Sequence, residues 1–354
     1  MSEATVLVEV RNQIGHLILN RPAGLNALSM EMIRTLQQQL TAWENDDSVR
    51  AVVLRANGEK AFCAGGDIRA LYDSYKAQDG LHLVYFEEEF ALDRHLHDYR
   101  KPLLALMDGY VLGGGMGLAQ GASIRVVSER VRMAMPETAI GYFPDVGASH
   151  FLAQLPHNVG LYMGLTGNQV AAGDALALGL ADWYVPHAKF AALLDALDSV
   201  TWQDTEGDLQ ALLQSHGARS LSGQELQTLY PAIERHFGHG SVKDIMQSLE
   251  DETDATYQDW TQTTLHTLRS RSPLAVNVAF EELTRGRSLN QHQAFDLEAH
   301  LIRQWFEVGD LMEGVRALIV DKDKQPKWKP AHFEEVDQQR VDALFDGFMP
   351  KHAG

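Results

Sequence analysis

Three glycines in a row, Gly113 to Gly115, constrain this chain more than any other stretch. They follow an apolar run that reads as a strand (103–107) and precede a small-residue run able to start a helix. Glycine permits backbone conformations and close approaches that any side chain forbids. A strand-to-helix turn built from it exposes unpaired N–H groups at the positive end of the helix dipole. A second turn of this kind is expected at Gly65-Gly66, before a helix running to Tyr75. Two N–H groups aimed at one oxygen would form an oxyanion hole. Spacing alone leans toward two ordinary tight turns. Neither GxGxxG nor GxxxxGK[ST] can be written through the glycine run, so it is no nucleotide fingerprint.

The surrounding pattern is α/β. Residues 4–10 and 15–20 read as strands joined by a turn with Asn12 and Gly15. Ser29 is placed to cap a helix in which Met30, Ile33, Leu36, Leu40 and Trp43 recur at helical spacing. A buried strand follows at 49–57, a helix at 81–98, and short strands at 123–128 and 131–135. Helices are expected at 146–154, 158–165 and 173–178, then a strand at 183–185. Strands alternating with helices predict an α/β fold. From about 187 the pattern is mainly helical, with a long amphipathic stretch at 290–309. This divides the chain into a core (1–190) and a helical C-terminal region (191–354) packing on it.

Lys plus Arg is 30 and Asp plus Glu is 48, a net charge of −18. That balance argues against nucleic-acid binding, which needs a basic surface. The lone cysteine, Cys63, allows no intramolecular disulfide and reads as a small buried residue. No apolar run reaches the ~20 residues that span a bilayer. The first ten residues carry no export signal, so the expected location is cytoplasmic. His236 and His239 stand three apart without further ligands nearby, and no metal site is expected.

Beyond the glycine run stand two carboxylates, Glu137 in MPETAIGYFPD and Asp145 at its end. Backbone donors and nearby carboxylates are the parts that chemistry on a carbonyl requires. Asp145 also reads as the N-cap of a helix from Val146, Asp67 as a cap at its own helix start, and Glu137 as a loop acid.

NRPAGLNAL (20–28), KAFCAGGDI (60–68), DGYVLGGGMGLA (108–119) and MPETAIGYFPDVGASHFL (135–152) together resemble the crotonase, or enoyl-CoA hydratase/isomerase, superfamily. The acidic run at 87–90 and EGVRALIVDKDKQPKWKP (313–330) resemble its hydrolase branch. The resemblance implies a crotonase-like (ClpP/crotonase) spiral of ββα units and hydrolysis of a short-chain 3-hydroxyacyl-CoA, with 3-hydroxyisobutyryl-CoA, a compound of valine breakdown, as expected substrate. It implies that the N–H groups of Gly66 and Gly114 hold the thioester oxygen. Glu137 falls at the catalytic glutamate, acting as a base on water or as a nucleophile through an anhydride. Asp145 and Glu89 would meet the hydroxyacyl end. Leu28, Ala64, Gly65, Asp67, Lys60 and Arg69 join the substrate-binding set, with Arg21, Lys327 and Lys329 as further cations for CoA.

Hydratases of the superfamily carry a second glutamate where this chain has Gly117, which weakens a hydratase reading. No cofactor is implied, since CoA belongs to substrate and product. Trimers or hexamers are the assemblies the resemblance implies.

Overall fold

The computed structural model describes residues 4–351. Residues 1–3, part of the stretch read for an export signal, lie outside it, as do residues 352–354. The chain folds into two compact units. The first comprises Met1–Asp67, Glu88–Met133 and Val170–Glu225; the second comprises Ile68–Glu87, Ala134–Gln169 and Leu226–Gly354. Among the described residues no helix is long and apolar enough to cross a membrane.

Among the described residues there are ten strands, all in the first unit but for the last residue of β8: β1 (Val6–Arg11), β2 (Ile14–Leu19), β3 (Ala51–Ala56), β4 (Ala61–Cys63), β5 (Leu103–Met107), β6 (Tyr110–Leu112), β7 (Ile124–Val127), β8 (Arg132–Ala134), β9 (Val170–Ala171) and β10 (Trp183–Tyr184). Six form one sheet in the order β1-β2-β3-β5-β7-β10, and four form another in the order β4-β6-β8-β9. In the six-stranded sheet the β1–β2 hairpin is antiparallel and the other pairs are parallel, and in the four-stranded sheet β4–β6 is parallel and β8–β9 antiparallel. Asn12 and Gln13 both take positive φ at the hairpin tip, the geometry that matches strand twist. Gly15, read as a turn residue, instead lies within β2, where a Cβ would stand 2.5 Å from the Trp43 ring.

Parallel sheets need both faces covered. Alternate residues Ala51, Val53, Leu104, Leu106, Ile124 and Val126 pack with Leu193, Leu197, Leu209 and Leu213 in one buried cluster. Those leucines come from helices Phe190–Ser199 and Thr205–His216. Helix Met30–Glu44 buries Met32, Ile33, Leu36, Leu40 and Trp43, and Ser29 caps it by accepting from the Met32 N–H at 3.2 Å.

The second unit is mainly helical. Helix Pro273–Gly286 starts at the Ser272 cap, and helix Gln291–Val308 starts at a capping box formed by Asn290 and Gln293. Trp305 is fully buried against Phe143, and its indole N–H donates to the Gly141 carbonyl at 3.0 Å.

Candidate active site

In the first unit β4 and β6 run parallel, and each ends in a glycine turn. Gly65 and Gly113 take φ of +107° and +50°, so these positions need glycine on backbone grounds. Gly115 needs it for space, because a Cβ would meet the Cys63 carbonyl oxygen at 2.2 Å. Helix Gly114–Gln120 thus starts directly against the end of β4. The two turns lie side by side: a Cβ on Gly114 would stand 3.5 Å from the Gly66 nitrogen.

The backbone of Leu28 bridges to this turn. Leu28 N–H donates to the Gly65 carbonyl and Asp67 N–H to the Leu28 carbonyl, both at 2.8 Å, so the Gly66 N–H takes no part in the bridge. Gly114 is the first residue of its helix, where N–H groups have no intrahelical partner. Two donors on adjacent turns can therefore converge on one oxygen. Glu89 is 3 % exposed, and its Oε1 lies 2.6 Å from where a Gly114 Cβ would be. Its neighbour Glu88 points away into a bidentate pair with Arg34 at 2.7 and 2.8 Å.

Asn26 holds the loop before Leu28. It is buried at φ +54°, donates to the carbonyls of Asn57 and Ala61, each at 2.9 Å, and accepts from Arg21 N–H at 2.8 Å. Its role was not legible in the NRPAGLNAL motif. Ala64 N–H donates to the Leu25 carbonyl at 3.0 Å, so segments 25–28 and 64–67 form one backbone platform. Lys60 is exposed on the rim of a concavity that Pro22, Leu25 and Gly58 also line. Arg21 pairs with Asp67 at 3.0 Å, which gives Asp67 a partner beyond its expected capping role. Arg69 belongs to the second unit and forms an exposed pair with Asp73 at 3.2 Å. The Cys63 thiol is fully buried and pushed up to about 12 by burial.

The second unit carries the other carboxylates. Glu137 opens a 3-10 turn, Glu137–Ile140, and is 7 % exposed. Asp145 is 5 % exposed and accepts from the Tyr142 hydroxyl at 3.0 Å. Burial raises the Asp145 carboxyl above the usual carboxylate range, against the pull of that hydrogen bond. Its expected capping role is not observed. Val146 and Gly147 are left-handed at φ +54° and +89°, so the helix begins only at Ala148, with Gly147 at its N-cap position.

Two further buried carboxyls escaped the sequence reading, Glu282 and Glu298, both fully buried. Burial pushes Glu298 up to about 8, and the Asp145 charge adds to it. Glu282 is raised well above the ordinary range by burial, then by Glu298, Asp145 and Glu137. Among the described residues neither Glu282 oxygen has a hydrogen-bond partner. No group of three or more His, Cys, Asp or Glu among the described residues is placed to hold a metal ion.

A family model described as enoyl-CoA hydratase/isomerase matches residues 14–345. The chain belongs to the enoyl-CoA hydratase/isomerase family. Within the family it is 37% identical over 344 residues to the mitochondrial 3-hydroxyisobutyryl-CoA hydrolase of Danio rerio, covering 96% of this chain and 89% of the relative. It is 36% identical over 349 residues to 3-hydroxyisobutyryl-CoA hydrolase 1 of Arabidopsis thaliana, covering 98% and 92%. Two solved structures share the fold along nearly their whole length. A carnitinyl-CoA dehydratase from Mycobacterium thermoresistibile gives a TM-score of 0.89 at 35% identity, covering 98% of this chain and 97% of the other. An enoyl-CoA hydratase from Rhodobacter sphaeroides 2.4.1 gives 0.87 at 34%, covering 97% of each chain. The crotonase-like α/β fold is therefore this family's fold, and its glycine turns occur here on β4 and β6.

Proposed function

We propose that this protein hydrolyses 3-hydroxyisobutyryl-CoA, a step of valine breakdown, to 3-hydroxyisobutyrate and free CoA. The observation that carries the substrate is the near end-to-end likeness to relatives of that name, at 34% to 37% identity from animals to a slime mould and a plant. The chemistry follows from the residues. The N–H groups of Gly66 and Gly114 receive the thioester oxygen as it gains charge. Glu137 drives attack on the carbonyl carbon, either by taking a proton from water or by forming an acyl anhydride that water then opens. The C–S bond breaks and the thiolate leaves with a proton. Asp145 and Glu89 bind the hydroxyacyl end, and Lys60 and the 25–28 and 64–67 platform serve the CoA nucleotide. No metal or redox cofactor enters this scheme.

A hydratase reading draws on the likeness to the two solved structures, a dehydratase and a hydratase. Hydration holds water between two carboxylates, and the side chain that would supply the first is missing at Gly117. The deciding experiment compares free-thiol release from 3-hydroxyisobutyryl-CoA with hydration of crotonyl-CoA. Thiol release is expected to dominate, without added metal and after dialysis against a chelator. Rapid hydration without thiol release refutes the proposal, and CoA binding without either reaction supports a non-catalytic binding protein instead. A Glu137→Gln variant with full activity removes Glu137 from its role. The cytoplasmic location and a trimeric or hexameric assembly belong to the same proposal. Cell fractionation and sedimentation test them.

A further inference from the structure

The segment Asp145-Val146-Gly147-Ala148-Ser149 is held in a conformation that its own residues do not favour. A β-branched residue at positive φ is a true outlier, and Val146 sits at +54°, directly before Gly147 at +89°. Such backbone persists only where the surroundings over-determine it. No side chain of the segment caps the short helix that follows. The grip comes from Glu298, 151 residues beyond Gly147. Glu298 Oε2 accepts from the Gly147 N–H at 2.7 Å, and Oε1 accepts from the Ser149 N–H at 3.0 Å and the Ser149 hydroxyl at 2.6 Å.

Packing on both sides fixes the same turn. A Cβ on Gly147 would stand 3.1 Å from the Phe295 ring on the helix that carries Glu298, and a Cβ on Gly286 would stand 1.6 Å from the Ser149 carbonyl oxygen. Three donors converge on a fully buried carboxyl whose two oxygens are both used. An amide of the same size offers one accepting oxygen and an NH2 that would point at another donor. The arrangement is therefore specific to a carboxyl group.

We propose that Glu298 is a positioning residue for Asp145: by clamping Gly147 and Ser149 it imposes the left-handed turn that sets where the Asp145 carboxyl points. The inference rests on the reading that Asp145 acts on the substrate. Glu298 itself touches no substrate in this scheme. It acts through two backbone N–H groups and one hydroxyl.

The test uses the full chain and compares Glu298→Gln, Asp145→Asn, the double variant and Ser149→Ala, with kcat and KM measured by thiol release from 3-hydroxyisobutyryl-CoA. Misplacing an acting group by ~1 Å costs on the order of 100-fold. E298Q is expected to lower kcat by roughly that factor while KM changes little. S149A, which removes one of the three donors, is expected to lower kcat by roughly three- to tenfold. The double variant should be no slower than D145N, because both changes act through one group. A folded E298Q with wild-type kcat beside an impaired D145N overturns the clamp. Losses that multiply in the double variant overturn it as well. A D145N with wild-type kcat removes the reading of Asp145 on which the clamp depends, and so separates that failure from the first. If E298Q does not fold, S149A decides: unchanged kcat overturns the proposal, and a lower kcat at constant KM supports it.

Discussion

Replacing Gly114 by alanine separates the fold of the glycine turn from its chemistry. Gly114 lies at the start of a helix with no positive φ, so alanine fits its backbone and gains up to ~1 kcal/mol of helix propensity. The added methyl has other neighbours. It would stand 2.6 Å from Glu89 Oε1, 3.4 Å from Leu28 Cδ1 and 3.5 Å from the Gly66 nitrogen. The Glu89 carboxyl, the end of a flexible side chain, must swing aside. The Gly66 nitrogen is backbone, pinned on either side by the Leu28 bridge, and cannot retreat. A methyl in contact with it crowds one of the two donors meant for the thioester oxygen. Loss of one such donor costs ~3–4 kcal/mol of transition-state stabilisation, which corresponds to a 10²–10³-fold lower kcat. KM should move far less, since the donors matter most once the oxygen carries charge. The assay is steady-state thiol release beside a thermal melt of each protein. A G114A protein that melts like wild type and keeps kcat within about threefold would refute the oxyanion assignment. An E89Q control measures how much of any loss comes from moving Glu89.

Three other predictions concern buried groups. Asp145, Glu282 and Glu298 are all raised by burial, so the stability they contribute is fully present below the unfolded carboxylate range and is lost as pH rises through their folded values. Glu282 is raised well above the ordinary range, and neither of its oxygens has a hydrogen-bond partner among the described residues; a Glu282→Gln variant should therefore gain thermal stability over wild type at pH 8 and not at pH 4, and equal shifts at both pH values would contradict this. The Cys63 thiol, buried and raised to about 12, should ignore thiol reagents until the protein is unfolded, which thiol titration in native and denaturing buffer checks. Asn26→Ala removes three hydrogen bonds and should cost about 3 kcal/mol in urea unfolding, at ~1 kcal/mol each; a cost below ~1 kcal/mol would show that the loop does not depend on them.

Local signals carried much of the architecture. The strands around the glycine turns are short apolar runs, and helix Met30–Glu44 announces itself by its cap and its spacing. The Gly113–Gly115 motif was legible because each glycine answers a nearby demand. The turn after Asp145 was not, because residues at 298 and 286 impose its left-handed backbone on a valine that locally prefers otherwise. The expected helix at 146–154 accordingly shrinks to Ala148–Phe151. Glu282 and Glu298 were not singled out, since a charge on a helix is ordinarily a solvated one. A usable sign was present all the same: Glu298 falls in the stripe Ala294, Leu301, Trp305, and Glu282 in the stripe Ala275, Ala279, Gly286. A carboxylate inside an apolar stripe is a buried group that needs donors.

The interleaving of the two units bears on how this chain is made. Its path changes unit after Asp67, Glu87, Met133, Gln169 and Glu225, so neither unit is one continuous stretch and each is completed only across intervening segments of the other. As the chain leaves the ribosome, the four-stranded sheet whose β4 and β6 lead into Gly66 and Gly114 lacks β9 until residue 171 has emerged, and the carboxyl that clamps the Asp145 turn appears only at 298. Folding must therefore wait for distant sequence, the condition that slows a chain and leaves its intermediates exposed. A stop codon or proteolytic cut anywhere before the last helices should yield no half-active remnant. It should yield a chain for the quality-control machinery to remove.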